Sequence, residues 1–352
     1  MIKVGITGAG GFIGKSISSR LKRLEAFEVE EIKLPVTQML DCDVIFHCAG
    51  VNRPEGNESF NLNVALTEDL ISFVPASCHL VFMSSIQASI SNPYGLSKLA
   101  AEEVVRNHNR WIVLRLPNIF GAGCKPHYNS VVATFCKQTV SRQTHVINNP
   151  NHMLRLLWIE DLVDFCVDLL CKPIEKNQTV SFDEFVAELP VQELSDLIEK
   201  VYQDFKMGYV RSRERTLKWK LETTLLSYCE EPLIRVMDPI KDDRGVFCEL
   251  LKTDSGQISF LKCDVGEERG LHYHRAKYER FFVLSGDGVF RSKNVNGEIT
   301  DVNLQSGNVI EVMTIPYHIH SIKNVGKNEL VVLIWANEIF NHKKPDTFRD
   351  VI

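Results

Sequence analysis

Apolar positions at the head of the chain fall into short runs, broken by glycine and followed by helical spacing. Lys3 to Thr7 is an apolar strand that runs into Gly8-Ala9-Gly10-Gly11-Phe12-Ile13-Gly14, and Ile13, Ile17 and Leu21 continue at helical period. Glu28–Lys33, Asp43–Gly50, His79–Met83 and Trp111–Leu116 read as further strands, with a helix opening at Asn61-Leu62-Asn63-Val64 and another carrying Tyr94 to Lys98. Strands alternating with helical stretches predict an α/β fold with a doubly wound parallel sheet, whose ligands gather at the strand carboxyl ends. From Glu175 to Glu222 the chain reads as helical and charge-rich, with Leu194, Leu197, Ile198, Val201 and Tyr202 on one face of a helix from Val191 to Phe205. That stretch is expected to be packing and substrate lid.

After Pro232 the texture changes. Short alternating runs at Gln257–Lys262, Glu279–Leu284, Gly288–Ser292 and Leu330–Ala336 are separated by Gly, Asp and Asn, the pattern of an all-β barrel or sandwich. The linker is expected between Cys229 and Asp238, giving domains 1–232 and 233–352.

Composition narrows the class of partner. The 352 residues are 44% hydrophobic and 24% charged, enough for two cores, and the net charge is only −5. Without a basic run, nucleic acid is a poor partner. No apolar run approaches the length of a membrane span. The ten cysteines lack any Cys-x-x-Cys and read as free thiols of a reducing cytosol, so a cytoplasmic protein is expected.

Chemistry enters at three places. Gly8, Gly11 and Gly14 sit between a strand and a helix, where glycine lets the backbone approach a pyrophosphate held at the helix N-terminus. The next strand should select the cofactor. Glu30 or Glu31 would accept ribose hydroxyls of NAD, whereas Lys33 would pair the extra phosphate of NADP. The strand from Asp43 ends in small residues, Ala49 and Gly50, as a backbone passing under a cofactor requires. Tyr94 and Lys98 are one helical turn apart, and an ammonium beside a phenol favours the phenolate. Ser85, delivered by the preceding strand, could hold a substrate oxygen against that phenol. Alone, such a pair is as easily a solvated helix face. Lys125, His127 and Asn129 on one loop suit sugar-diphosphate contacts, although each taken singly could be a solvated loop residue. Arg155 could reach a diphosphate, with plain exposure the safer reading, and Asp161 is the expected N-cap of the helix after Trp158.

The third place lies in the β region. His272 and His274 at i and i+2 of a strand share a face, Glu279 follows, and Pro316-Tyr317-His318-Ile319-His320 brings imidazole from another strand. Imidazoles with one carboxylate suit a divalent transition metal. Four of the eleven histidines fall in these two segments, which core histidines would not explain.

These motifs carry resemblances. The glycine turn, His47-Cys48-Ala49-Gly50, Asn63, Ser85, Tyr94 with Lys98, and Arg115-x-Pro117-Asn118-x-x-Gly121 resemble the extended short-chain dehydrogenase/reductase family over roughly residues 1–230. The resemblance implies a Rossmann-type domain that transfers hydride at a sugar ring carbon. Tyr94 would then donate the proton, Ser85 orient the carbonyl, and Lys98 hold the nicotinamide ribose and lower the Tyr94 pKa. Gly8, Gly11, Phe12, Ile13, Gly14, Lys33, Ala49, Gly50, Lys98 and Pro117 would contact the cofactor, with Asn52, Arg53, Ser85, Lys125, His127 and Asn129 on the substrate. Gly266 to Gly286, with the later histidines, resembles the two cupin motifs. The second departs by lacking a glycine after Pro316, so His320 is carried as ligand by its distance to Asn324 and His318 stays open.

The whole chain resembles the CapF-type family of bifunctional UDP-sugar enzymes. Gly50-Val51-Asn52-Arg53-Pro54-Glu55, Ser85-Ile86-Gln87-Ala88, Asn92-Pro93-Tyr94-Gly95, Cys124-Lys125-Pro126, Asp243-Arg244-Gly245, Trp335-Ala336-Asn337-Glu338 and Pro345-Asp346-Thr347 carry the resemblance. It implies a zinc-dependent cupin that epimerises carbon 3 of a UDP-linked 4-keto-6-deoxy sugar. Reduction of carbon 4 with NADPH follows, in a homodimer serving N-acetyl-L-fucosamine and surface polysaccharide synthesis. Lys277, Tyr273 and His318 are the candidate bases of the epimerisation. Rival readings are a reductase with a merely structural or dimerising barrel, and a cofactor-sensing protein, against which Tyr94 and Lys98 weigh.

Overall fold

The computed structural model describes residues 1–54, 59–174, 177–211, 214–305, 307 and 310–352. Glu55 and Glu175, used above, lie outside the described residues. The chain forms two compact units, Met1–Tyr202 with Arg215–Glu231, and Gln203–Glu214 with Pro232–Ile352.

In chain order the first part runs β1 (Ile2–Thr7), α1 (Phe12–Leu21), β2 (Phe27–Ile32), β3 (Val44–His47), α2 (Leu62–Ile71), β4 (His79–Ser85), α3 (Pro93–Arg106), β5 (Trp111–Leu116) and β6 (Asn118–Phe120). It continues through α4 (Val131–Val140), β7 (Met153–Trp158), α5 (Ile159–Leu170), β8 (Gln178–Val180), β9 (Ala187–Pro190), α6 (Val191–Lys206), β10 (Tyr209–Val210) and α7 (Leu217–Leu226). Six parallel strands form one sheet in the order β2-β1-β3-β4-β5-β8, so the winding direction reverses between β1 and β3. The carboxyl ends flanking that reversal are where a doubly wound sheet opens a crevice.

β3 and most of β4 are buried, as strands covered on both faces must be. Phe46, Phe82 and Ile112 lose essentially all contact with water, each stabilising the sheet by roughly 1.5–3 kcal/mol. Asn92 starts α3, its side chain accepting from Gly95 N at 2.8 Å, with Pro93 in the first turn where its missing N–H costs nothing. This cap sets where Tyr94 leaves the sheet edge.

Two expectations need correction. The stretch from Glu175 to Glu222 is not helical throughout, because β8, β9 and β10 interrupt it. Asp161 is not an N-cap: Trp158 holds that place, and Asp161 sits inside the first turn of α5, where it binds Lys220 Nζ at 2.6 Å.

The second unit adds β11 (Ile240–Asp242), β12 (Gly245–Thr253), β13 (Gly256–Cys263), β14 (Glu268–Tyr273), β15 (Glu279–Ser285), β16 (Gly288–Lys293) and β17 (Ile299–Leu304). It ends with β18 (Glu311–Met313), β19 (Ile319–Asn324), β20 (Leu330–Ala336) and β21 (Phe348–Arg349). One sheet is ordered β10-β12-β13-β20-β15-β18 with β11 on β12, and the other β17-β16-β19-β14-β21. Leu261, Phe281, Val283 and Val332 from the first meet Phe290, Leu304 and Ile322 from the second in one core, the double-sheet form of a barrel.

Candidate functional site

Two constellations emerge, one in each unit. In the first, Gly8 adopts φ 63°, and a Cβ there would lie 2.7 Å from Ala49 N. Only glycine lets the turn after β1 press against the end of β3. Gly11 N then bonds Gly8 O at 2.9 Å, and Phe12, Ile13 and buried Gly14 open α1. Pro117 is buried between β5 and β6. These positions sit at the strand carboxyl ends, the expected place for a dinucleotide.

Lys33 is exposed one residue beyond β2, whose Ile32 pairs with Thr7. Both rival carboxylates are already engaged. Glu31 accepts from Ser18 at 3.0 Å and from Lys22 at 2.5 Å, and Glu30 receives the Cys42 thiol at 3.8 Å.

Ser85 ends β4, with its hydroxyl accepting from Gln87 N at 3.2 Å. Tyr94 donates its phenol to Asn52 Oδ1 at 3.1 Å, and Asn129 Nδ2 holds the Asn52 carbonyl at 3.1 Å. Lys98 is buried, and its Nζ donates to Met83 O at 3.0 Å. A Cβ on Gly50 would come within 3.3 Å of that ammonium, so glycine keeps the approach to Lys98 open.

Burial governs the electrostatics here. It pushes the Tyr94 phenol up to about 12, with the Ser85 hydroxyl working in the opposite sense. It also draws Lys98 down to about 8 against the pull of Cys48 and Glu102. The expected lowering of the phenol by Lys98 is therefore not found in this state, because desolvation dominates and the ammonium faces a carbonyl.

Sequence reasoning named His47 and Asn63 within motifs but missed the hydrogen-bonded scaffold they form with Thr7, Thr67 and Ser97. Fully buried His47 bonds Thr7 Oγ1 through Nδ1 at 2.7 Å and Thr67 Oγ1 through Nε2 at 3.1 Å, and burial lowers it to about 3. Thr67 donates to Asn63 O, and Asn63 in turn clamps both backbone groups of Val51 and donates to Ser97. Polar residues on otherwise apolar elements were the available signal.

The loop expected to meet a sugar diphosphate is partly assembled. His127 and Asn129, at φ 61° and 51°, line a cavity of about 500 Å³ together with Asn149 and His152, which sequence reasoning did not single out. Lys125 is exposed, its Nζ 5.4 Å from the Tyr128 ring, and Arg53 is exposed beside Asn52. Arg155 pairs with Asp183 and with Glu188 at 2.8 Å, which accounts for it without a diphosphate.

In the second unit, His272, His274, Glu279 and His320 bring one ligand-type atom each to within 4.8 Å of one another. Their origin is register: His272 on β14 faces His320 on β19. His318 precedes β19, so the expectation that it shares a strand face with His320 fails. Leu271 takes φ 56° at the β14 irregularity just before His272. His274 Nε2 and His320 Nε2 are buried without a hydrogen-bond partner, standing 3.4 and 3.5 Å from Glu279 Oε2, too long and too poorly aligned to satisfy them.

Two orphaned imidazole nitrogens beside a carboxylate are costly unless something electropositive sits between them. Burial and the neighbouring His320 lower His272 to about 4, so it is neutral at pH 7 with a lone pair to offer. Burial works to raise Glu279, but His274, His320 and Lys277 outweigh it and hold the carboxyl well below its usual range. Neutral imidazoles and an ionised carboxylate are the forms a divalent cation binds. Lys277 Nζ donates to Glu279 Oε1 at 2.8 Å and, with His272, Glu279 and His320, lines a cavity of about 340 Å³ that Arg244, Arg269 and Arg349 also border. Tyr273 instead stacks on Phe348, with ring centroids 5.3 Å apart.

Comparison with known proteins follows the same division. Residues 31–181 match the NAD dependent epimerase/dehydratase family, and residues 240–348 match the polysaccharide biosynthesis C-terminal domain. The chain is 34% identical to the UDP-2-acetamido-2,6-beta-L-arabino-hexul-4-ose reductase of Pseudomonas aeruginosa, over 99% of this chain and 98% of that one. The capsular polysaccharide assembling protein CapF of Staphylococcus aureus superposes with a TM-score of 0.84 at 30% identity, covering 100% of both chains. A UDP-glucuronic acid 4-epimerase from Bacillus cereus shares the fold of the first unit alone, at TM-score 0.52 and 16% identity over 64% of this chain and 96% of that one. Among the described residues no helix is long and apolar enough to cross a membrane.

Proposed function

We propose, for a chain that belongs to the CapF-type family of nucleotide-sugar enzymes, two consecutive steps on one UDP-linked 2-acetamido-2,6-dideoxy-4-keto sugar. The second unit inverts carbon 3, and the first then reduces the carbon 4 ketone to give UDP-2-acetamido-2,6-dideoxy-L-talose for surface polysaccharide synthesis. The carrying observation is that one chain holds two chemically different constellations: a phenol–ammonium pair and a cluster of three imidazoles with a carboxylate.

The order follows from the chemistry. A ketone acidifies the neighbouring C–H, and reduction removes that ketone, so epimerisation comes first. His272, His274, Glu279 and His320 would hold the cation, and zinc suits their donor set. A divalent cation held there would supply Lewis acidity to the substrate ketone. Among the three candidate bases Lys277 is favoured, because its amine borders the cavity and is fixed by Glu279.

In the first unit the Tyr94 phenol, kept protonated by burial, is in the form a reduction consumes. NADPH supplies the hydride. Tyr94 would give its proton to the oxygen that becomes the hydroxyl, Ser85 would orient that oxygen, and the Lys98 ammonium would stabilise the phenolate left behind. Asn52, released from Tyr94 as substrate enters, remains tied to Asn129 at the cavity edge. Lys33 favours NADP because both rival carboxylates are occupied, Glu30 by the Cys42 thiol and Glu31 by Ser18 and Lys22, while among the described residues Lys33 stands exposed beyond β2 without a side-chain partner.

Product NMR in deuterated water tests this. Tyr94→Phe should abolish NADPH oxidation while carbon 3 still gains deuterium, and His272→Ala should stop the deuterium uptake. Loss of both signals in Tyr94→Phe would refute two separate sites.

A further inference from the structure

We propose that Asp346 is the positioning residue of the second site, holding both an imidazole of the cluster and the turn that carries Lys277. The proposal rests on the reading of that cluster as a cation site.

β21 lies along β14, pairing Arg349 with His272 and Phe348 with Tyr273, so the strand bearing the cluster is gripped between β19 and β21. Asp346 stands just before β21 and makes two kinds of contact. Its backbone carbonyl lies 2.5 Å from His274 Nδ1. A carbonyl only accepts, so Nδ1 carries a proton and Nε2 is the ring nitrogen left to face the cluster. Nε2 is the orphaned atom turned into the cluster. A second partner of this kind fixes ring orientation and raises ligand basicity.

The Asp346 carboxylate accepts from three successive backbone N–H groups, Arg275 at 3.1 Å, Ala276 at 2.8 Å and Lys277 at 2.8 Å. Those amides form the turn between β14 and β15. Without an acceptor they would be free to turn outward, and Lys277 would lose its fixed path back to Glu279 Oε1. Arg275 caps the arrangement from outside, its guanidinium 4.3 Å from the Phe348 ring. One residue thus couples the proton-bearing nitrogen of a ligand to the placement of an amine three positions further along the same turn. Nothing in its carboxyl chemistry touches the reacting atoms, so its action is through His274 and Lys277.

The test uses the whole chain, zinc alone as probe, and chelator competition to read affinity, with hydrogen exchange followed by peptide. Asp346→Ala keeps the carbonyl that meets His274 but removes the carboxylate that anchors it to the 275–277 turn, so zinc should weaken about 10-fold, and Asp346→Asn, which keeps an acceptor oxygen, should recover most of it. In Asp346→Ala the amides of 275–277 should exchange faster while β15 and β19 keep their protection. Zinc affinity unchanged in Asp346→Ala overturns the proposal, as does exchange that accelerates across the whole second unit. Failure of the unaltered chain to bind zinc would overturn the cation reading instead. The exchange measurement then still decides Asp346, since unchanged protection of 275–277 would refute its hold on the turn.

Discussion

Replacing Glu102 by alanine should destabilise the first unit by about 2–4 kcal/mol, because a buried carboxylate there gathers four hydrogen bonds from three side chains. Glu102 is fully buried on α3, one turn after Lys98. Its Oε1 accepts from Ser84 at 2.6 Å and Arg115 Nε at 3.0 Å, and its Oε2 from Arg115 and Arg106, each at 2.8 Å. Removing one partner of a fully buried pair costs about 3–5 kcal/mol. The two guanidiniums keep 27% and 34% of their side-chain exposure, so water partly compensates them and the lower figure applies.

For a body of this size each kcal/mol moves the melting temperature roughly 2–4 °C, so a fall of about 5–15 °C is expected. Fluorescence follows it, since Trp111, Trp158 and Trp219 all lie in the first unit. Glu102→Gln should cost less, keeping shape and one acceptor. Burial alone would raise the Glu102 carboxyl, but Arg115, Ser84 and Arg106 together bring it below the usual 4.5. The unfolded chain then takes up the proton first as pH falls. The contribution is present above about pH 4.5 and shrinks below it, so wild type and Glu102→Gln should converge in acid. A loss under about 1 kcal/mol at pH 7 for Glu102→Ala would refute the reasoning, showing that Ser84 and Arg115 hold the end of β4 unaided.

Two further outcomes follow from single residues. Lys33→Ala should raise the KM for NADPH roughly fivefold with little change for NADH, as an exposed charge pair allows, and equal effects would remove the reason to prefer NADP. Leu271→Ile should destabilise the second unit by about 1–2 kcal/mol, since a β-branched residue fits poorly at positive φ, whereas Leu271→Asn should be nearly neutral; denaturant midpoints distinguish them.

Local pattern carried much of the fold into the sequence. Gly8 and Gly11 between β1 and α1, and Gly14 in the first turn of α1, were legible because the backbone there folds too closely on itself and on Ala49 to leave room for side chains. The strands Gln257–Lys262, Glu279–Leu284 and Leu330–Ala336 were legible because a sheet with one buried face imposes a period of two. The region between Glu175 and Glu222 was misjudged because its strands are only two to four residues long, too short to establish a period.

The sites divide the same way. The residue types of the Tyr94–Lys98 pair and of the imidazole cluster stand in the sequence, the first one helix turn apart and the second split between two distant segments. Which of His318 and His320 joins His272 was open, because a single residue at the start of β19 decides which side chain enters the register. The state of Tyr94 could not be read from its spacing to Lys98 either. Proximity along a helix predicts a lowered phenol, but the depth of burial, which only the packed sheet determines, raises it. Asp346 shows the limit most plainly: its partners at 274–277 lie some seventy positions earlier, and only the pairing of β21 with β14 brings them together. Spacing along the chain thus determined which chemistry is present, and the long-range strand pairing and desolvation of the folded state decided how each group is held and charged.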